Sequence, residues 1–161
     1  IEIRALVDLL TGNSNSRLHK LLVEELQLVT SIDSRISTFS QAGLLEIEAD
    51  LLPGTESSRV EELILEQIDN LLKTPPENRD VEGVRNRLLM AVTKSTLKAS
   101  SHAGRLGYFH TTCNDYRQMF RMLEQYETLT PEAISSAIAA RLQEGPDLVL
   151  RAVPDQTGKT R

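Results

Sequence analysis

The chain has 161 residues, 40% of them hydrophobic, 25% charged and 4% aromatic, with 18 basic against 23 acidic side chains for a net charge of −5. Those proportions describe one soluble globular unit, which at this length hides roughly 68 to 70% of its extended-chain surface, and the single cysteine, Cys113, excludes a disulfide framework or a multi-cysteine zinc site. No apolar run reaches the roughly 20 residues of a membrane span, Glu2, Arg4 and Asp8 interrupt any secretion signal, and net acidity without a Lys/Arg stripe argues against nucleic acid as a partner.

Ile3, Leu6, Val7 and Leu10 share one helical face, and Gly12 predicts the helix end, at a residue that tolerates the left-handed region. Ser14 to Ser16 cap a second helix with the stripe Leu18, Leu21, Leu22 and Leu26. From Leu28 the period becomes two. Leu28, Thr30, Ile32, Ser34 and Ile36 alternate with Ser31, Asp33, Arg35 and Ser37; later, Leu45, Ile47, Ala49 and Leu51 alternate with Glu46, Glu48 and Asp50. With Ser40 to Gly43 between them, the two runs predict an antiparallel hairpin, Leu28 to Leu52, closed by Pro53-Gly54. Ser58-Arg59-Val60-Glu61 fits a capping box, and Val60, Leu63, Ile64, Ile68, Leu71 and Leu72 carry that helix to Pro75-Pro76. Val81, Val84, Leu88 and Val92 mark a helix running to about Ser100. Tyr116 to Tyr126 predicts a short one, and Thr130-Pro131-Glu132 opens a last one ending near Gly145-Pro146. Leu148 to Val153 then alternates as a final strand before a flexible polar tail, residues 155–161.

Strands segregated from helices predict an α+β fold, a mainly antiparallel sheet with helices packed on one face, as a single domain over residues 1–154. Ile32, Ile36, Ile47 and Ala49 need an apolar cover, which the stripes Val60 to Leu72 and Val81 to Val92 are expected to supply. So thin a sheet, with open edges, predicts further strands in polypeptide upstream of Ile1.

The reactive side chains are few. His19, His102 and His110 form no recognised zinc pattern, since neither H-E-x-x-H nor H-x-x-E-H occurs. A five-residue spacing is expected to point His19 and Glu24 to different helix faces, which leaves His19 a solvated surface residue. His102 and His110 flank Gly104-Arg105-Leu106-Gly107 and read as a polar helix junction; that G-x-x-G lacks the strand and lysine of a phosphate loop. Cys113, with His110 three residues away, reads as a passive thiol, because a nucleophile needs a lowered pKa and a base held in place. The row Glu46, Glu48 and Asp50 reads as a solvated acidic face.

Leu9-Leu10-Thr11-Gly12-Asn13-Ser14-Asn15-Ser16-Arg17-Leu18, followed by Gly43-Leu44-Leu45-Glu46-Ile47-Glu48-Ala49, resembles the second part of a pitrilysin/insulinase-type (inverzincin) metallopeptidase half. That family writes a helix, a G-x-S-S-R-L turn, a helix, an alternating strand and a D-x-G-L-F strand. Val84-Arg85-Asn86-Arg87-Leu88 is similar to its E-x-x-x-A-K-x-x-L helix, Tyr126 to Ile134 to its Y-x-x-V-T-x-E-D-I segment, and Val149 to Pro154 to its closing V-V-V-x-P strand. The similarity covers nearly the whole chain, and the order and spacing of the motifs carry it.

The family includes mitochondrial processing peptidases and the core subunits of the respiratory bc1 complex. The resemblance implies a non-catalytic wall of a peptide-binding chamber, packed against a zinc-bearing half of the same kind, with the H-x-x-E-H ligands outside this chain. Zinc is therefore expected only in the partner domain, with no cofactor, no catalytic residue and no metal ligand here, and a bacterial periplasm or cytoplasm as the setting. Two alternatives stand beside it, a purely structural module like a bc1 core subunit and the ligand-free back part of an active zinc half. The family's substrate-contacting arginine and tyrosine fall on Val23 and Thr30, which supply neither a guanidinium nor a phenol.

Overall fold

The first helix, α1 (Glu2–Thr11), buries Ala5, Leu6, Leu9 and Leu10 along one stripe, as the spacing predicts. In this computed structural model residues 1–38, 43–142, 146 and 148–152 are described. Gly12 ends α1 with an ordinary right-handed φ of −63°, so no left-handed turn is made. Glycine is needed there for room: a Cβ would lie 2.5 Å from Asp8 Oδ1 and 2.6 Å from the Asp8 carbonyl oxygen. Gly12→Ala is expected to cost about 1–3 kcal/mol in a denaturant titration, because overpacking forces backbone to move. An unchanged midpoint would mean that the helix end gives way freely.

Beyond Gly12 the turn is held by Asn13, whose carbonyl accepts from the Ser16 amide at 3.0 Å and whose Oδ1 accepts from the Asn15 amide at 2.8 Å. Ser16 is buried and its hydroxyl also donates to the Asn13 carbonyl, so it closes the turn instead of capping the next helix. That helix forms, but over His19–Glu25 it winds as a π-helix, with the Leu26 amide donating to the Leu21 carbonyl at 2.9 Å.

The hairpin is present as β1 (Val29–Thr38) and β2 (Gly43–Leu51), an antiparallel pair and the only sheet among the described residues. Residues 40–42 of the expected turn lie outside the described residues. Ile32 stands opposite Ala49, Ser34 opposite Ile47 and Ile36 opposite Leu45. Val29 pairs with Leu51 but Ser31 with Asp50, so Thr30 is an extra residue in β1. This bulge reverses the alternation below it. Val29 is buried and Thr30 exposed, the opposite of what a strict period of two assigns. The cover also differs from expectation: β1 packs on α1 and the π-helix, both of which precede it closely in the chain.

Five helices follow. The first, α2 (Ser57–Lys73), starts one residue before Ser58 with Glu56 at the N-cap and no side-chain cap, so the capping box is not formed. Next come α3 (Asn78–Thr96), α4 (Ala99–Cys113), α5 (Gln118–Glu127) and α6 (Pro131–Arg141). The helix expected to run on to Ser100 therefore breaks after Thr96, and the segment from His102 to His110, read as a junction, lies inside a helix of its own. Gly104 and Gly107 and the lack of any fully buried residue on α4 explain why no apolar stripe announced it. The Thr130 hydroxyl accepts from the Ala133 amide at 3.2 Å with Pro131 at the first turn, the helix start that the sequence predicts.

The described residues 148–152 are exposed and form no strand, no strand among the described residues lies beside them, and Arg151 is tied instead to Glu61 of α2. Val153 and the tail, residues 155–161, lie outside the described residues, as does Gly145. The main core joins α1, the π-helix, the hairpin, α2, α6 and the first half of α3. Val92, Met119 and Tyr126 are buried apart from it, among α3, α4 and α5. The fold is thus α+β with helices as the larger part, and no described helix is long and apolar enough to cross a membrane.

Candidate functional site

A groove of about 350 Å³ runs between α1 and β1. Asp33, Ser34, Arg35 and Ile36 line it in unbroken succession, although neighbouring strand residues point to opposite faces. The groove therefore follows the edge of β1 that β2 does not use. Val7, Ile36 and Leu88 give it apolar surface, and Arg4, Asp8, Asp33 and Arg35 add charges of both signs. Ser34 Oγ is shut off from solvent with no hydrogen-bond partner, and Asp33 Oδ1 accepts from the Ser34 amide at 2.8 Å. Asp8 is fixed by Arg87 of α3, whose Nε donates to Asp8 Oδ2 at 2.8 Å and whose Nη2 donates to the same oxygen. That pair spans 79 residues of sequence, so no local pattern could have revealed it.

His19 and Glu24 face each other after all. Nδ1 lies 3.6 Å from Glu24 Oε1, because a π-helix brings residues five apart onto one side where an α-helix would separate them. His19 is half-buried, and its Nδ1 has no hydrogen-bond partner. His102 and His110 sit on α4, and Gly104 and Gly107 lie inside the same helix, where their backbone belongs to the helix and not to a phosphate loop. The acidic row of β2 is largely answered from β1. Arg35 donates from Nε to Glu46 at 3.1 Å and from Nη2 to Glu48 at 3.3 Å, and Ser31 Oγ donates to Asp50 at 2.6 Å. Among the described residues no group of three or more His, Cys, Asp or Glu side chains converges as a metal site would require.

Cys113 ends α4 in the open, just before Asn114 at a left-handed φ of 52°. Its Sγ lies 3.6 Å from Thr112 Oγ1, and no hydrogen bond joins it to His110. Cys113→Ser is expected to leave the unfolding midpoint unchanged, and thiol labelling of the native protein to proceed at the rate of an ordinary cysteine. Much faster labelling at neutral pH would reveal an activated thiolate. The positions aligned with the family's arginine and tyrosine are also placed. Val23 is half-buried in the π-helix against the core, and Thr30 is the exposed bulge residue, its hydroxyl donating to the Asp50 carbonyl at 3.1 Å.

Tyr126 is the buried titratable group of the helical layer. Burial pushes its phenol above the usual value of 10.0, against the opposing pull of Arg4 and Arg105. A raised native value holds stability in full below the unfolded value and loses it as pH climbs through the native one. Tyr126→Phe should therefore flatten the fall in stability between about pH 9 and about pH 11, read by denaturant titration. Equal slopes for both proteins would exclude the phenol as the cause.

Fold and site together define a helix-rich α+β domain that presents a strand-edge groove, with no convergent group of three or more metal-ligating side chains among its described residues. The chain belongs to the peptidase M16 inactive domain family, whose model matches residues 1–88. Among solved structures it is similar to the inactive peptidase domain of a proposed zinc protease from Bordetella parapertussis, at 17% identity and a TM-score of 0.80, over 95% of this chain and 85% of that one. A protease from Helicobacter pylori matches at 17% identity and 0.77, and the peptidase M16 inactive domain from Pseudomonas fluorescens at 18% and 0.75. In both cases 86% of this chain is covered but only 33% of the other. No curated protein matches the chain.

Proposed function

We propose that residues 1–154 form a non-catalytic domain of a zinc metallopeptidase, part of the wall of a peptide-binding chamber, packed against a zinc-bearing domain. The observation that carries this reading is the groove beside β1. The open strand edge from Asp33 to Ile36 offers main-chain donors and acceptors to an extended peptide, and such bonding tolerates varied sequence. The apolar surface from Val7, Ile36 and Leu88 adds contact for side chains, while the mixture of charges favours no single sign. That the chain spans a third of the Helicobacter pylori protease supports further domains in the whole protein.

Zinc belongs with the partner domain in this reading, since His19 and Glu24 offer only a pair of donors where tetrahedral zinc takes three or four. After dialysis the isolated chain should hold no stoichiometric zinc and cleave no peptide; one tightly held zinc per chain would overturn the assignment. Peptide handling is tested by backbone amide exchange with an unstructured peptide, acetylated and amidated at its ends. Slower exchange at Asp33–Ile36, with Ser57–Lys73 unaffected, is the expected result. No protection at millimolar peptide would reduce the domain to a packing module.

A further inference from the structure

We propose that Asp33 selects what docks beside β1, favouring an extended peptide that carries Lys or Arg at the position next to it. The inference rests on strand addition at the groove and names the substrate class for that site. Facing residues of an antiparallel pair alternate: one pair exchanges both main-chain bonds, and the next turns those groups away from each other. The Ser34 amide donates at 2.8 Å to the Asp33 carboxylate, a side chain of its own strand, which marks Ser34 as a residue turned away from β2. Ser34 and, two residues on, Ile36 therefore offer main-chain groups to the groove, while Asp33 and Arg35 spend theirs on β2.

A docked strand needs the Ser34 amide for one of its carbonyls, and Asp33 already holds that amide. Asp33 thus caps the open edge, and whatever draws its carboxylate aside uncaps it. Taken together the charges of the groove favour no sign, but they are not equally free. Asp8 is bound by Arg87, and Arg35 donates to Glu46 at 3.1 Å and to Glu48 at 3.3 Å. Arg4 belongs to the opposite wall, on α1.

Asp33 stands directly opposite Glu48, a like charge, and has no ion pair among the described residues. It lines both the groove and a shallow dent that it shares with Arg35, Glu46 and Glu48, where three carboxylates meet one guanidinium. A strand added beside β1 sets one side chain alongside Asp33 on the same face of the sheet. An ammonium or guanidinium there makes an opposite-charge cross-strand pair and takes over the carboxylate that caps Ser34.

Two short end-blocked peptides test this, valine alternating with lysine and valine alternating with glutamine, titrated into the chain at low salt and followed by NMR. The lysine peptide should bind about two- to fivefold more tightly, the range of an opposite-charge cross-strand pair. Amide exchange should slow at Ser34 and Ile36 with both peptides. Asp33→Asn, which keeps a neutral acceptor for the Ser34 amide, should abolish the preference, whereas Glu66→Gln, the same loss of charge on the exposed surface of α2, should keep it. Asp33→Ala removes the cap as well and should bind the glutamine peptide at least about twofold more tightly than the unaltered chain does. A lysine peptide that binds no better than the glutamine peptide, or a preference that survives Asp33→Asn, refutes the role of Asp33 and leaves strand addition standing. Failure of both peptides to protect Ser34 and Ile36 would overturn strand addition itself, and this inference with it.

Discussion

Leu6→Ala is expected to lower the stability of the domain by about 2–5 kcal/mol, the range for removing a buried leucine whose surroundings relax only in part. Leu6 is fully buried at the middle of α1, and α1 is the element on which α3, α6 and β1 all pack. A cavity there is bordered by several elements, so no single one can move in to close it. Leu97→Ala provides the contrast, because Leu97 is 77% exposed and should change stability by no more than about 0.5 kcal/mol. Urea titrations of both variants decide the matter. Similar small effects would mean that α1 is not the centre of the core.

Ile47→Asp should be the next most damaging change, costing about 2–4 kcal/mol, while Glu48→Gln should be close to silent. Ile47 packs on the main core from β2, and Glu48 points to solvent, where Arg35 meets it at 3.3 Å. An aspartate at position 47 either stays charged against apolar neighbours or drags its strand outward. A screened contact such as Arg35–Glu48 contributes little. Equal midpoints for the two variants would contradict the register in which Ser34 faces Ile47.

The legible parts of the fold were those whose burial is one-sided. The stripe of α1, the alternation of Glu46, Glu48 and Asp50 against Ile47 and Ala49, and the Thr130-Pro131 helix start all write their environment directly into sequence. α4 does not, because none of its residues is fully buried and its chain carries Gly104 and Gly107. The cover of the hairpin is hidden for another reason. The longest stripes, on α2 and α3, belong to helices that pack mainly on other helices, whereas the shorter α1 and the π-helix lie under β1. Residues 148–152 keep strand-like alternation but have no strand beside them among the described residues, and pairing is a property of neighbours. Of the candidate site, Asp8, Arg87 and the edge of β1 are joined only by tertiary contact. The pairing of His19 with Glu24 is invisible to an α-helical phase because the chain is π-helical there.

The π-helix and the bulge set what positions 23 and 30 can reach. Val23 lies within the π-helix, and Thr30 is itself the supernumerary residue of β1. Each stands where the chain carries more residues than a regular helix or strand would use, so counting along the sequence no longer tells which way a side chain projects. Grafting an arginine onto Val23 would push a guanidinium against the core, and a tyrosine at Thr30 would leave the strand on its solvent side. The two side chains would therefore point to different surroundings, one into the core and one into solvent. With an extra residue in each element, what a side chain at position 23 or 30 can reach is decided by backbone phase before it is decided by residue type.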